Sequence, residues 1–100
     1  MTSFGRKSIT HLGTLHGEGT LFVRDGLRLG QVIFEIDGYV DGEVRSASGQ
    51  IEAESCILDE AFRAEEATIV LETGGCINIV VLDPRGERAA EIQVKGAFPL

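Results

Sequence analysis

Residues that carry chemistry are scarce in this chain. Its two cysteines, Cys56 and Cys76, stand twenty positions apart. No CxxC spacing is formed, which excludes a zinc knuckle or a dithiol redox motif read from them. Both are expected as reduced thiols buried as small hydrophobes. Around Cys56 the run "EAESCILDE" is negative, which opposes thiolate formation and argues against a nucleophile. Long apolar runs are also missing. The longest, Ile79 to Leu82, is far short of the roughly 20 residues of a membrane-spanning helix. The start, "MTSFGRKSITHLG", has a basic pair but no apolar stretch behind it. No secretory signal is read there, and the expected location is cytoplasmic. Cations are few: nine Lys and Arg against 16 Asp and Glu, for a formal net charge of −7. Apart from that basic pair they are scattered singly, so neither nucleic acid nor an anionic membrane is an expected partner. "HGEGT" lacks the Lys-Ser/Thr ending of a phosphate loop, and no GxSxG elbow occurs.

What is present fits one small folded domain. The chain has 100 residues, 43% hydrophobic and 25% charged, enough for a single packed core and unlike a disordered composition. Residues 1–16 are expected as a flexible leader or an extra extended segment, and residues 17–100 as one all-β domain. Negative charge is densest from Glu52 to Glu66, where six acids face the lone Arg63. Such a run is a solvated face that aids solubility, or a docking surface for a basic protein partner.

Period-two patterning dominates the chain. "EGTLFVR", residues 18–24, is rich in β-formers and is followed by Asp25-Gly26, a pair suited to a two-residue hairpin turn. From Leu29 to Val40, the residues Val32, Phe34, Ile36 and Val40 alternate with Gln31, Glu35 and Asp37, as in a half-buried strand. Asp37-Gly38 and Asp41-Gly42 compete for the next turn. The second is preferred, with Gly38 left as a bulge or bend. In "EVRSASGQIEA" Val44 is even but Ile51 and Ala53 are odd, so a bulge or sharp bend near Ser48-Gly49 is expected. "ESCILDEAFRAEE", residues 54–66, places Ile57, Leu58, Ala61 and Phe62 at helical spacing, with Phe62 expected to close one end of the core. Three more strands follow, "ATIVLE", "CINIVVL" and "RAAEIQVKG", separated by Thr73-Gly74-Gly75 and Asp83-Pro84-Arg85-Gly86. Val80 and Leu82 opposite Ile77, Ile79 and Val81 suggest that the middle strand is covered on both sides.

The expected fold is therefore all-β: a small antiparallel six-stranded meander forming a barrel or a rolled sheet, with one short helix between the third and fourth strands. A lipocalin-like enclosed ligand cavity needs about eight longer strands and is not expected.

The order "GEGTLFVRDG", a long alternating strand, "SASGQIEA", a helical turn, "ATIVLETGG" and "AAEIQVKGAFPL" resembles short bacterial all-β proteins with no established activity. That resemblance implies a fold and no function. "IDGYVDGEVRSASGQIEA" is also similar to the polymer-forming β-helix of bactofilins. The turns at 25, 41, 74 and 84 keep no fixed period. A solenoid requires one, so a β-helix is rejected.

"ITHLGTLHGEGT" holds both histidines, His11 and His16, with Glu18 beyond them. Residues five apart on a regular strand point to opposite faces, so His11 and His16 are expected to diverge while His16 and Glu18 share a face. Two ligands fall short of a zinc site, and no metal, cofactor or catalytic residue is assigned. Asp37, Asp41 and Glu43 flank a turn, where solvent keeps carboxylates ordinary. Three functions remain. The leading one is a non-catalytic binding or assembly module, expected as a homodimer through a strand edge and the tail "GAFPL". The others are an enzyme with an unrecognised, metal-dependent site near His16 and Glu18, and an acidic regulatory protein docking on a basic partner.

Overall fold

A computed structural model describes residues 9–98, the side chain of Asp25 excepted. Residues 1–8 of the expected leader, and Pro99 and Leu100 of the tail, lie outside the described residues. The elements are β1 (Ile9–Val23), a 3-10 turn (Arg24–Gly26), β2 (Leu27–Asp41), β3 (Val44–Glu52), α1 (Ser55–Arg63), β4 (Ala67–Leu71), β5 (Cys76–Val81) and β6 (Ala89–Lys95). Residues 9–16 of the segment expected as a flexible leader or an extra extended stretch belong to β1.

The six strands close into an antiparallel barrel in the order β1-β2-β3-β6-β5-β4, with β4 returning to β1. The barrel and the helix between the third and fourth strands are as expected, and the strand order departs from one continuous meander only where the two halves join. β1-β2-β3 and β4-β5-β6 are each a meander, but β3 pairs with β6 and β4 with β1. Strands 1 to 4 thus have the spatial order 4-1-2-3 of a Greek key. The cause is α1. Its nine residues span about 13 Å, which carries the chain across the barrel end instead of turning it back beside β3.

Both expected Asp-Gly turns exist, one residue displaced. Val23 pairs with Leu27, so the first loop has three residues, Arg24–Gly26, with Gly26 at φ +74°. That is a three-residue hairpin loop whose last residue is left-handed. Asp41 pairs with Val44, leaving Gly42 (φ +64°) and Glu43 as the two central residues. Gly in the first central place is the signature of a type II′ turn.

Alternation fills the interior. Leu21, Val32, Phe34, Ile36, Ile51, Ile69, Ile77, Ile79, Val81 and Ile92 are at most 4% exposed, and Leu58 and Ala61 of α1 are fully buried beside them. Ile57 seats on Gly30, where an added Cβ would lie 2.7 Å from Ile57 Cδ1. Phe62, expected as the plug, is instead 38% exposed. Ile57, Leu58 and Ala61 already occupy the inward stripe of a nine-residue helix. β5 is likewise covered on its inner face alone: Cys76 and Asn78 are exposed and Val80 is half-buried, because a closed single-layer barrel has no second layer outside it.

The bend expected at Ser48-Gly49 is absent. β3 runs in unbroken register with β2 from Val44 to Glu52, and the apparent change of face vanishes because Val44 is 68% exposed. Gly49 has another reason to be Gly. A Cβ there would sit 2.0 Å from the Glu35 carbonyl oxygen, so the two strands approach more closely than any side chain permits.

Closure covers only part of the long hairpin. β4 pairs with β1 over residues 19–22, and β6 pairs with β3 over residues 48–52. Beyond them the outer halves of β1 and β2, with Val44–Ala47 of β3, continue as a three-stranded arm. The molecule is accordingly elongated, 50 × 30 × 21 Å.

Candidate functional site

The arm is where the two histidines lie, and one irregularity decides their direction. His11 pairs with Tyr39 but Gly13 with Gly38, so Leu12 is an extra residue on β1. A bulge of this kind shifts the parity of everything beyond it. Gly38, expected to bend, stays in register opposite it. His16 pairs with Glu35, and Glu35 and Tyr39 share a face of β2, so His11 and His16 share a face too. The expected divergence is wrong for this reason. Four residues of strand still separate their rows, about 13 Å, too far to share an ion.

His11 Nε2 lies 2.9 Å from Asp37 Oδ1, Thr14 Oγ1 donates to the same oxygen, and the Tyr39 ring is tilted against the imidazole at 5.3 Å. The Thr14 hydroxyl, and then His11, hold the Asp37 carboxyl below its ordinary value of 3.8. This cluster is not a nucleophile-base pair. Thr14 Oγ1 donates its hydrogen bond to the carboxylate and lies 3.4 Å from His11 Nε2, the same nitrogen that meets Asp37, whereas in a relay the acid would hold the other ring nitrogen. The cluster instead ties β1 to β2 within the arm.

Next along the same face come two rows across four strands: His16–Glu35–Gln50–Glu91 and Glu18–Ile33–Glu52–Ala89. His16 and Glu18 do share a face, with Glu35 opposite His16. Among the described residues no three His, Cys, Asp or Glu side chains are placed to hold a metal ion. What the rows do form is a negative surface around Ile33, which is 53% exposed. The expected acidic run is broken up by the fold. Glu52 belongs to this face, Asp59 is paired with Arg63 on α1, and Glu66 with Lys95 of β6. Sequence reading missed Glu18, Glu35 and Glu91 as companions of Glu52, since only strand pairing joins positions so far apart in the chain.

Both thiols are free and exposed, against the expectation of burial. Cys76 stands opposite Val70 on the outer face of β5, and Cys56 lies on the solvent side of α1, 3.9 Å from a Glu54 carboxylate oxygen.

The arm also leaves a free edge. Beyond the four residues paired to β4, residues 9–18 of β1 have β2 as their single strand neighbour among the described residues. The last strand, β6, is flanked by both β3 and β5, and Phe98 of the tail packs on the core. No helix of the described residues is long and apolar enough to cross a membrane. Compared with models of protein families, with curated proteins and with solved structures, the chain matches none of them.

Proposed function

We propose that the protein is a non-catalytic assembly module whose two copies join through the free edge of β1. The observation that carries the reading is the stretch 9–18, paired on one side alone and the longer of the two strand edges that the arm leaves, the shorter being Val44–Ala47 of β3. Exposed strand edges are templates for another strand, and natural proteins guard them with Lys, Pro or inward charges. This edge, "ITHLGTLHGE", has no Lys and no Pro, and its one formal charge is Glu18, on a chain of net charge −7. It is therefore the stretch where a second copy meets least repulsion. A two-fold axis makes the two edges antiparallel and lets one surface cover itself. Ile9 (65% exposed) and Val44 (68% exposed), which flank Asp41 in the terminal row of the arm, add apolar area at the margin of that contact.

Light scattering at micromolar concentration tests it. The expected result is a two-chain mass that falls to one chain in the double variant Thr10→Lys, His16→Lys. Lysine at 16 faces Glu35 across the strands, so the substitution blocks the edge without opposing the fold. A single-chain mass for the unaltered protein at every concentration refutes the reading.

One observation favours a second reading, docking of a basic partner. Glu18, Glu35, Glu52 and Glu91 surround the exposed Ile33 with no Lys or Arg in their two rows, Arg88 being the cation at the margin of the same depression. An amphipathic lysine-rich peptide would then bind with steep salt dependence, and Glu35→Gln with Glu52→Gln would abolish the binding.

A further inference from the structure

The bulge that turns His11 and His16 onto one face also fixes how the edge of β1 fits a copy of itself. In an antiparallel two-fold contact, the edge pairing proposed above and the one on which this site rests, paired residues lie on the same face of the shared sheet. Because of the bulge, His11 and Leu12 occupy one row between them, and Thr14 is the middle row of the stretch 9–18. With the axis at Thr14 the whole stretch pairs and every row matches in face. Leu15 meets the partner's Gly13 on the inner side, while His16 meets the partner's His11 and Glu18 the partner's Ile9 on the outer side. Moving the axis to Gly13 or Leu15 leaves part of the stretch unpaired. Two histidines that lie about 13 Å apart within one copy thus become neighbours across the axis, with Cβ atoms about 5 Å apart.

Both imidazoles are prepared for a common ligand. The Asp37 carboxylate, which can only accept, lies 2.9 Å from His11 Nε2. A hydrogen on Nε2 leaves Nδ1 with the lone pair, and a carboxylate behind the ring is the usual support of a metal-bound histidine. His16 is exposed and has no hydrogen-bond or ion-pair partner among the described residues. Glu35 stands opposite it on β2. One copy alone places no three such groups together among the described residues. Across the axis, His16, Glu35 and the partner's His11 supply two nitrogens and a carboxylate oxygen. That is the number of protein ligands in a zinc site with an open position, and imidazole selects zinc over calcium or magnesium.

We infer that the paired edges hold two divalent ions of the zinc class, each bound by His16 and Glu35 of one copy and His11 of its partner. The ions tie the two arms together on either side of the axis, so that assembly follows metal supply.

The test uses the full-length, untagged protein with Cys56→Ser and Cys76→Ser, since both thiols are exposed and would compete for the ion. Light scattering and elemental analysis are compared in chelator, zinc chloride and magnesium chloride. The zinc response is the ratio of dimer dissociation constants in chelator and in zinc, so that an effect of a substitution on the pairing itself cancels. At free zinc about ten times the dissociation constant of the site, two filled sites tighten the dimer about a hundredfold. About one zinc per chain is expected, and no comparable effect of magnesium. His11→Gln or His16→Gln is expected to bring the ratio to about one. Mixing the two variants is expected to restore a response with about one zinc per two chains, because one site of a mixed dimer keeps both histidines. A dimer that zinc leaves unchanged, that magnesium tightens equally, or whose mixed variants recover nothing overturns the metal site and spares the edge pairing. A single-chain mass in both chelator and zinc ends the edge pairing and the metal site together.

Discussion

His11 and Asp37 meet at 2.9 Å across the β1-β2 seam, in a cluster that Thr14 completes on the same carboxylate oxygen. The Asp37 carboxyl is held below 3.8, first by the Thr14 hydroxyl and then by His11. A depressed folded-state value means that the ionised carboxylate is favoured in the native protein. The associated stability is therefore complete above the unfolded value and is lost as pH falls through the lower folded value. Thermal melts from about pH 6 down to about pH 2 are expected to show Asp37→Asn less stable than the unaltered protein at the upper end. The two curves converge at the lower end. A difference that persists unchanged in acid would place the cause elsewhere.

Gly49 provides a sharper test of the barrel. Because an added Cβ would meet the Glu35 carbonyl oxygen at 2.0 Å and Ile36 Cα at 2.8 Å, both of them backbone, Gly49→Ala must force β2 and β3 apart. A loss of about 3 kcal/mol or more is expected by urea denaturation, at the upper end of overpacking costs. Ser48→Ala, one residue away and facing solvent, is expected to change stability by less than about 0.5 kcal/mol.

The orientation of α1 is checked by a pair of truncations. Leu58 is fully buried and Phe62 is 38% exposed. Leu58→Ala is expected to cost about 2–5 kcal/mol, as for a buried leucine, and Phe62→Ala less than about 1 kcal/mol. The opposite order would mean that Phe62 is the plug after all.

Cys56 and Cys76 are both exposed and unpaired. A thiol reagent is expected to modify both in native buffer, at rates that denaturant raises little. Protection of either thiol until the protein unfolds would contradict the outward placement of that residue.

Much of this protein is legible in the order of its residues. Val32, Phe34 and Ile36 point inward because alternation is a local property of extended chain, and all three are buried. The hairpin loops fall within a residue of their Asp-Gly pairs, since glycine is what positive φ at 26 and 42 requires. The short helix lies inside the segment whose apolar residues recur at helical spacing.

Tertiary structure alone decided the rest. Which strands close the barrel depends on contacts between β1 residues 19–22 and β4 residues 68–71, and no local pattern encodes a partner so distant in the chain. Counting along β1 put His11 and His16 on opposite faces. One unpaired residue, Leu12, reversed the count, and a bulge is set by how two strands fit rather than by either one alone. The acids of the outer face assembled in the same way: Glu18, Glu35, Glu52 and Glu91 come from four strands and became neighbours only through register. A pocket under the arm, between Leu12, Val94 and Phe98, owes its space to Gly13, Gly38 and Ala47 standing in one row. Each is a common residue in its own strand, and only their alignment removes the bulk that would otherwise have filled the barrel to its mouth.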